Sequence, residues 1–233
     1  EGPLITVTEY ASRPLEEGER LALSSSGGVL EVGWNGSLLP LGALQDLEKR
    51  VEVKVPPELL SQLEELSCWN ISGEVSVSGA FAQELSLGSL AGDLFLTGVS
   101  GEKAAVSTVS GDIQWSQGQA RELSVKSTSG AVQVVGMNAQ ECRLKTVTGP
   151  LAYQGAGSKF FGESVTGSLR AQLTACPTEG ELGSVQGDIF LTLPENNGFQ
   201  ARHSSVSGHF TSDFSGSGQG GGFLYKGGGP LLS

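Results

Sequence analysis

From Ala104 to Gln117 the chain reads AAVSTVSGDIQWSQ: apolar and polar residues alternate, a Val-Ser-Gly turn intervenes, and the alternation resumes. Alternation of period two predicts a β-strand with one buried face on each side of the turn. The same pattern recurs around Gly73 (ISGEV), Gly92 (LAGDL), Gly130 (TSGAV), Gly149 (VTGPL), Gly167 (VTGSL), Gly187 (VQGDI) and Gly208 (VSGHF). Successive turn glycines, Gly73 to Gly208, stand 19, 19, 19, 19, 18, 20 and 21 residues apart. A fixed period near twenty predicts a solenoid, in which copies that cannot bury an apolar face alone do so by stacking. The expectation is an all-β, parallel β-solenoid of about 19 residues per coil, with eight coils over residues 66–214 and one face on each side of the glycine.

Counting from the glycine assigns the interior. Five before it stand Cys68, Leu87, Val106, Val125, Leu144 and Leu182; two before it, Ile71, Leu90, Val109, Val147, Val165, Val185 and Val206. Two after it come Val75, Leu94, Ile113, Val132, Leu151, Leu169, Ile189 and Phe210, and four after it Val77, Leu96, Trp115, Val134, Tyr153, Ala171 and Leu191. These columns read as apolar ladders, with Trp115 stacked between Leu96 and Val134. The column three before, Asn70, Ser89, Thr108, Ser127, Thr146, Ser164, Ser184 and Ser205, is expected to point inward at the bend and bond the corner backbone or the next hydroxyl. The glycine itself is explained by a corner of positive φ.

The stretches STVSGDIQW, SVKSTSGAVQV and LKTVTGPLAY resemble the bacterial adhesin-like β-solenoid domains, a family of unassigned function. PLITVTEY and LALSSSGGVLEV near the start, VEVKVPPELL before the first coil, and LTLPENNGFQARHSSVSGHF near the end extend the resemblance over nearly the whole chain. The resemblance implies the solenoid fold and a cell-envelope or extracellular setting. It implies no activity.

Outside the repeats the pattern is less regular. LITVTEY, residues 4–10, reads as a strand; Leu21, Leu23, Leu30 and Val32 surround Gly28 at the repeat's offsets and predict an irregular first copy. Residues 35–50 lapse through NGS, Pro40 and LGALQDLEK, a candidate helical turn, so residues 1–50 are assigned as a cap of the same solenoid that covers its open edge. Residues 51–214 are the solenoid. Within them Val51, Val53 and Val55 form a strand closed by Pro56-Pro57, and ELLSQLEEL predicts one or two helical turns before the first coil. Residues 215–233, rich in glycine, predict a flexible loop around FLY.

Of 233 residues, 35 are Gly, about twice the usual share, and the excess falls at repeat corners and in the late run. The net charge of −11 argues against nucleic acid, whose recognition needs a basic footprint. Lys126, Arg143 and Lys145 are a small outward basic cluster that reads as solvated surface. Cys68, Cys142 and Cys176 fall in different repeat contexts; Cys142 aligns with Leu85 and Leu123 as a buried apolar residue, four coils from Cys68 and out of disulfide reach. The sequence holds no leader-like segment and no apolar run near 18 residues, so no direct membrane insertion is expected; it opens on a strand, as an excised piece would.

No constellation carries catalysis. The hydroxyl column lacks an accompanying base, and a Ser-His-Asp set drawn from His203, His209 and Asp213 uses positions the repeat already explains. Glu74, Asp93, Asp112 and Asp188 follow turn glycines, but Ala131, Pro150, Ser168 and His209 break the row, so the acids read as solvated turn residues. Neither catalytic residues, nor a metal site, nor a cofactor is expected. The remaining chemistry lies on the outer β face, where Phe95, Gln114, Gln133, Ala152, Arg170, Phe190 and Thr211, with Gln154 and Gln172, suit an unidentified protein or glycan partner. The alternative is a carbohydrate-active lyase or hydrolase. It would need clustered charges on an outer face, whereas Ser86, Ser107, Ser124 and the glutamines are uncharged.

Overall fold

The computed structural model describes residues 4–16, 19–34, 48–60, 63–203, 209–219, 221–226 and 229–232. The chain divides into two compact units, Glu1–Leu60 and Ser61–Ser233.

In the first unit β1 (Thr6–Ala11) has β4 (Lys49–Lys54) as its antiparallel partner, and β2 (Leu21–Ser26) pairs antiparallel with β3 (Val29–Trp34). Gly27 and Gly28 both have positive φ, 61° and 83°. Two consecutive residues of that kind make the tight turn of a hairpin and reverse the chain. The Gly28 segment is therefore a hairpin and not the irregular first coil expected from its spacing. Arg13 holds Glu19 with two bonds, 2.6 and 2.8 Å, and the Glu16 amide donates to the same carboxylate at 2.9 Å. Lys49 pairs with Glu9 in the same region. After β4, Pro56 and Pro57 open a single helical turn, α1 (Pro57–Leu60), and β5 (Glu65–Ser72) follows. Of the helical turn expected at LGALQDLEK, residues 41–47 lie outside the described residues and Lys49 begins β4.

The second unit is the solenoid. Its further strands are β6 (Val75–Ser78), β7 (Phe81–Ala91), β8 (Leu94–Thr97), β9 (Ser100–Ser110), β10 (Ile113–Ser129), β11 (Val132–Thr148), β12 (Leu151–Thr166), β13 (Leu169–Leu173), β14 (Glu179–Gln186) and β15 (Ile189–Thr192). Every pairing among them is parallel and joins residues one coil apart: Leu87 beside Val106, Val106 beside Val125, Leu96 beside Trp115 and Trp115 beside Val134. One set of ladders runs β5-β7-β9-β10-β11-β12-β14 before the turn glycine; the other runs β6-β8-β10-β11-β12-β13-β15 after it.

The turn glycine answers two demands. Gly73, Gly111, Gly130, Gly149, Gly167 and Gly187 have φ between 98° and 147°. Independently, a Cβ on Gly92, Gly111, Gly130, Gly149, Gly167 or Gly187 would lie 1.9 to 2.3 Å from the carbonyl oxygen of the glycine one coil earlier. A second corner, six residues on, repeats positive φ at Gly79, Gly98, Gln117 and Gly136, between 60° and 70°.

Burial corrects one column. The residues five and three before the glycine face inward: Val106, Val125 and Leu144 are buried, and so are Ser89, Thr108, Ser127, Thr146 and Ser164. A pleated strand cannot also bury the next residue. Ile71, Leu90, Val109, Val147, Val165 and Val185 are accordingly exposed, Ile71 by 70%. The expected interior ladder at that position is an external aliphatic stripe. The inward hydroxyls are unevenly satisfied. Thr108 donates to Gly92 O at 3.3 Å and Thr146 to Thr148 O at 3.3 Å, while Ser89, Ser127 and Ser164 find no partner among the described residues.

The stack has about seven coils, not eight. Ser205, Val206 and Gly208 of the expected last copy lie outside the described residues, and Phe210 and Thr211 belong to no strand. Instead β16 (Phe199–Arg202) pairs antiparallel with β18 (Gly222–Tyr225) and parallel with β19 (Leu231–Leu232); β17 (Ser217–Gln219) flanks β18, and β19 meets β14 at Gly180. Phe223 and Tyr225 are buried against Phe199, with ring centroids 5.9 and 5.6 Å away, and Phe214 lies 5.1 Å from the same ring. The FLY segment is a strand in an aromatic cluster, not a flexible loop. Its glycines permit close strands; its aromatics supply the burial that holds them.

Candidate binding face

The turn acids come first, because the structure gives them a different role from the expected one. Asp93 Oδ1 accepts the amide of Asp112 at 2.8 Å, and Asp112 Oδ1 accepts the amide of Ala131 at 2.8 Å. Each carboxylate thus ties its coil to the next, and these acids are structural rungs rather than free turn residues. Among the described residues no group of three or more His, Cys, Asp or Glu side chains is placed to hold a metal ion.

The triad candidates fare differently. His203 stacks on Phe210 at 4.7 Å with the rings 3° from parallel, and its amide donates to Gly221 O. His203, His209 and Asp213 are all exposed, while the serines of the inward column from Ser89 to Ser164 are enclosed behind the sheet. Cys142 is fully enclosed too, and burial pushes its thiol well above the ordinary range. Burial, then the neighbouring Cys142, raises the Tyr153 hydroxyl, which donates to Ala156 O at 2.7 Å. These are core groups in neutral form.

On the outer face after the glycine, Gln114 and Gln133 lie side by side in register and exposed, flanked by Phe95 and Ala152, which are half-buried. Arg170 lies over Phe190, 4.7 Å from the ring centroid. Thr211 does not continue this row, since it stands in no strand.

The outer face before the glycine is richer than its sequence suggested. Eight residues ahead of each glycine runs a charged column, Glu65, Glu84, Lys103, Glu122, Glu141, Lys159 and Glu179. Ion pairs link neighbouring coils: Lys103 to Glu84 at 3.4 Å, Lys145 to Glu163 at 2.6 Å and Lys159 to Glu179 at 3.4 Å. Arg143 pairs with Glu141 at 2.7 Å and covers the Phe161 ring at 4.3 Å. The view that the outer positions are mostly uncharged holds for Ser86, Ser107 and Ser124 and fails for this column. Lys126, Arg143 and Lys145 are outward on adjacent coils, as their spacing predicts.

Between the charged column and the aliphatic stripe, small residues leave two open grooves, of about 440 and 280 Å³. Ser86, Ala105 and Ser124 line the first, and Ser107, Val109, Lys126 and Val147 the second. Trp69 lines the second groove as well and is 67% exposed. Its ring lies across Gly88: a Cβ there would come within 2.1 Å of two ring carbons. Absence of a side chain at Gly88 is therefore what lets the indole lie on the sheet. Sequence reading missed Trp69, because the column four before the glycine is Trp, Gly, Ser, Lys, Lys in successive coils and shows no repeat.

A family model matches residues 44–221, which spans all seven described coils. The chain belongs to the Toastrack DUF4097 family. This family is a domain of unknown function, so the match supplies no site. No curated protein and no solved structure matches the chain. In this Toastrack domain, then, any functional reading rests on the faces just described. No helix among the described residues is long and apolar enough to cross a membrane.

Proposed function

We propose that this Toastrack domain is a non-enzymatic binding or scaffold module of the cell envelope or surface, with an adhesin-like role, and that a glycan chain is its ligand. The observation that carries the reading is Trp69, an exposed indole laid on the sheet at Gly88 beside a groove lined by Ser107, Lys126 and Lys145. An aromatic platform supplies contact area for the apolar face of a sugar ring, and flanking charged and hydroxyl groups supply hydrogen bonds. Coils that repeat the groups at regular spacing suit a chain-like ligand. The envelope setting rests on the family resemblance.

A lyase or hydrolase is the competing reading, since Glu122 and Glu141 stand opposite each other on adjacent strands. Glycoside hydrolysis needs one carboxyl that keeps its proton at neutral pH, which calls for an apolar, enclosed site. Glu122 and Glu141 instead stand on an outer face open to solvent, each paired with an arginine, Arg121 at 3.1 Å and Arg143 at 2.7 Å. The binding reading is the stronger.

The test is a glycan and cell-wall binding array on the full chain, run beside Trp69→Ala and a variant with charges at Gln114, Gln133 and Gln154. Binding should fall at least about tenfold in Trp69→Ala and persist in the glutamine variant, with both circular dichroism spectra native. The reverse pattern would move the site to the glutamine face. Failure of the unaltered chain to retain any glycan or cell-wall fraction would sink the glycan reading, and turnover of a bound glycan would replace it with the enzyme.

A further inference from the structure

We infer that the solenoid pairs head to tail with a second copy of itself, the open edge of its last coil adding the first coil of the next molecule. Among the described residues β15 pairs with β13 alone, β6 with β8 alone and β5 with β7 alone. β14 carries β12 along its length and meets β19 at Gly180 only, which leaves its later residues as an edge. Among the described residues both ends of the stack thus present strand edges of the two parallel ladders.

Burial marks the last coil as uncovered. In the column two after the glycine, Leu94, Ile113, Val132, Leu151 and Leu169 are all buried, whereas Ile189 is 41% exposed. In the column four after it, Leu191 is 37% exposed while Leu96, Trp115, Val134, Tyr153 and Ala171 are buried. Val75 and Val77, which open the same two columns in the first coil, are half-buried. The end of each column is an aliphatic side chain that fits the start of the same column.

The hydrogen bonds point to the same occupant. At each turn the glycine amide donates to the residue preceding the next glycine, as Gly73 does to Ala91 O at 3.1 Å and Gly167 to Gln186 O at 3.0 Å. The residue two after the glycine donates to the following turn, as Leu169 does to Asp188 O at 2.9 Å. Carried one step further, Gly187 and Ile189 donate to the carbonyls of Ser72 and Glu74 in the second copy. Asp188 holds the position from which Asp93 and Asp112 accept the next coil's amide, so its carboxylate receives the Glu74 amide of that copy. At Gly73 a Cβ would meet nothing nearer than Asn70 Nδ2 at 3.7 Å, which leaves the space that the preceding carbonyl fills at each later glycine. A surface that offers parallel donors, acceptors and apolar columns at this spacing is the edge of another coil. The contact is heterologous and does not close on itself, so it extends into chains.

Sedimentation velocity of the full chain over a wide concentration range tests this. The expected result is a series of species larger than two copies, strengthened by salt because a charge of −11 opposes assembly. Leu191→Lys blocks one end and Val77→Lys the other; Asp188→Lys, at an exposed turn of the last coil, serves as a milder block of the first of these ends where Leu191→Lys disturbs folding. Each variant alone should be monomeric with a native circular dichroism spectrum. Mixed in equal amounts, Leu191→Lys and Val77→Lys should form a one-to-one dimer that grows no further. Monomers at every concentration of the unaltered chain would overturn the inference. So would assembly that survives both blocks, or a dimer that one block abolishes and mixing does not restore, which would mean a two-fold contact through one end.

Discussion

Trp115 is buried in a column between Leu96 and Val134, and its indole N–H donates to Val99 O at 3.3 Å. Replacing it with Ala should cost about 3–5 kcal/mol, the range for deletion of a core aromatic, read from the urea midpoint; a loss under about 1 kcal/mol would mean the strand faces are inverted. In the first unit, the hydrogen bonds from Arg13 and from the Glu16 amide lower the Glu19 carboxyl from 4.5 to about 2. A carboxyl depressed in the folded state adds stability above its unfolded value and loses it as protons return. The contribution of Glu19 is therefore complete above pH 4.5 and declines as pH falls towards about 2. Glu19→Gln should melt lower than the unaltered chain at neutral pH and converge with it near pH 2. Parallel curves over the whole range would show that the carboxylate contributes nothing through its charge.

At the scale of the element, the coil is joined to its neighbour by backbone ladders and by the Asp93 and Asp112 rungs. Asp112→Ala leaves the Ala131 amide without that acceptor and should lower stability by about 1 kcal/mol, the usual worth of such a bond. Asp112→Asn keeps a side-chain oxygen in place and should recover most of it. Equal losses in both variants would show that charge, not the acceptor, matters at the turn. The second corner works by conformation: Gly79, Gly98 and Gly136 supply its positive φ, and Gln117 adopts it as a non-glycine residue. That column is visible in the sequence as Gly, Gly, Gln, Gly, six after each of the first four turn glycines. The substitution in the third copy hid it.

For the whole molecule, the expected stability source is packing within coils and not a bound ion. A thermal midpoint unchanged by EDTA is the predicted outcome, because a metal held by the native state alone adds stability that chelation removes. A drop of several degrees would direct attention back to the Asp93, Asp112 and Asp188 turns. The candidate face was partly legible: the outward basic residues Lys126, Arg143 and Lys145 follow from their offsets. Trp69 was not, since its place on the sheet depends on Gly88 in the next strand, and no local pattern links the two.

The sequence by itself determined the solenoid, its parallel register and the residues in each column, because every coil repeats one alternation and neighbours pair with their own copies. It also determined that glycine stands at the turn, through backbone geometry that no other residue meets easily. The tertiary structure decided which of two adjacent columns faces inward, burying the hydroxyls and exposing Ile71, Leu90 and Val109. Both columns alternate equally well along the strand, and the bend alone settles which one the next face encloses. It decided likewise that Leu21–Ser26 and Val29–Trp34 form a hairpin and that the glycine-rich tail makes strands. Those outcomes come from pairings and aromatic contacts outside the repeat, where no period records the partner.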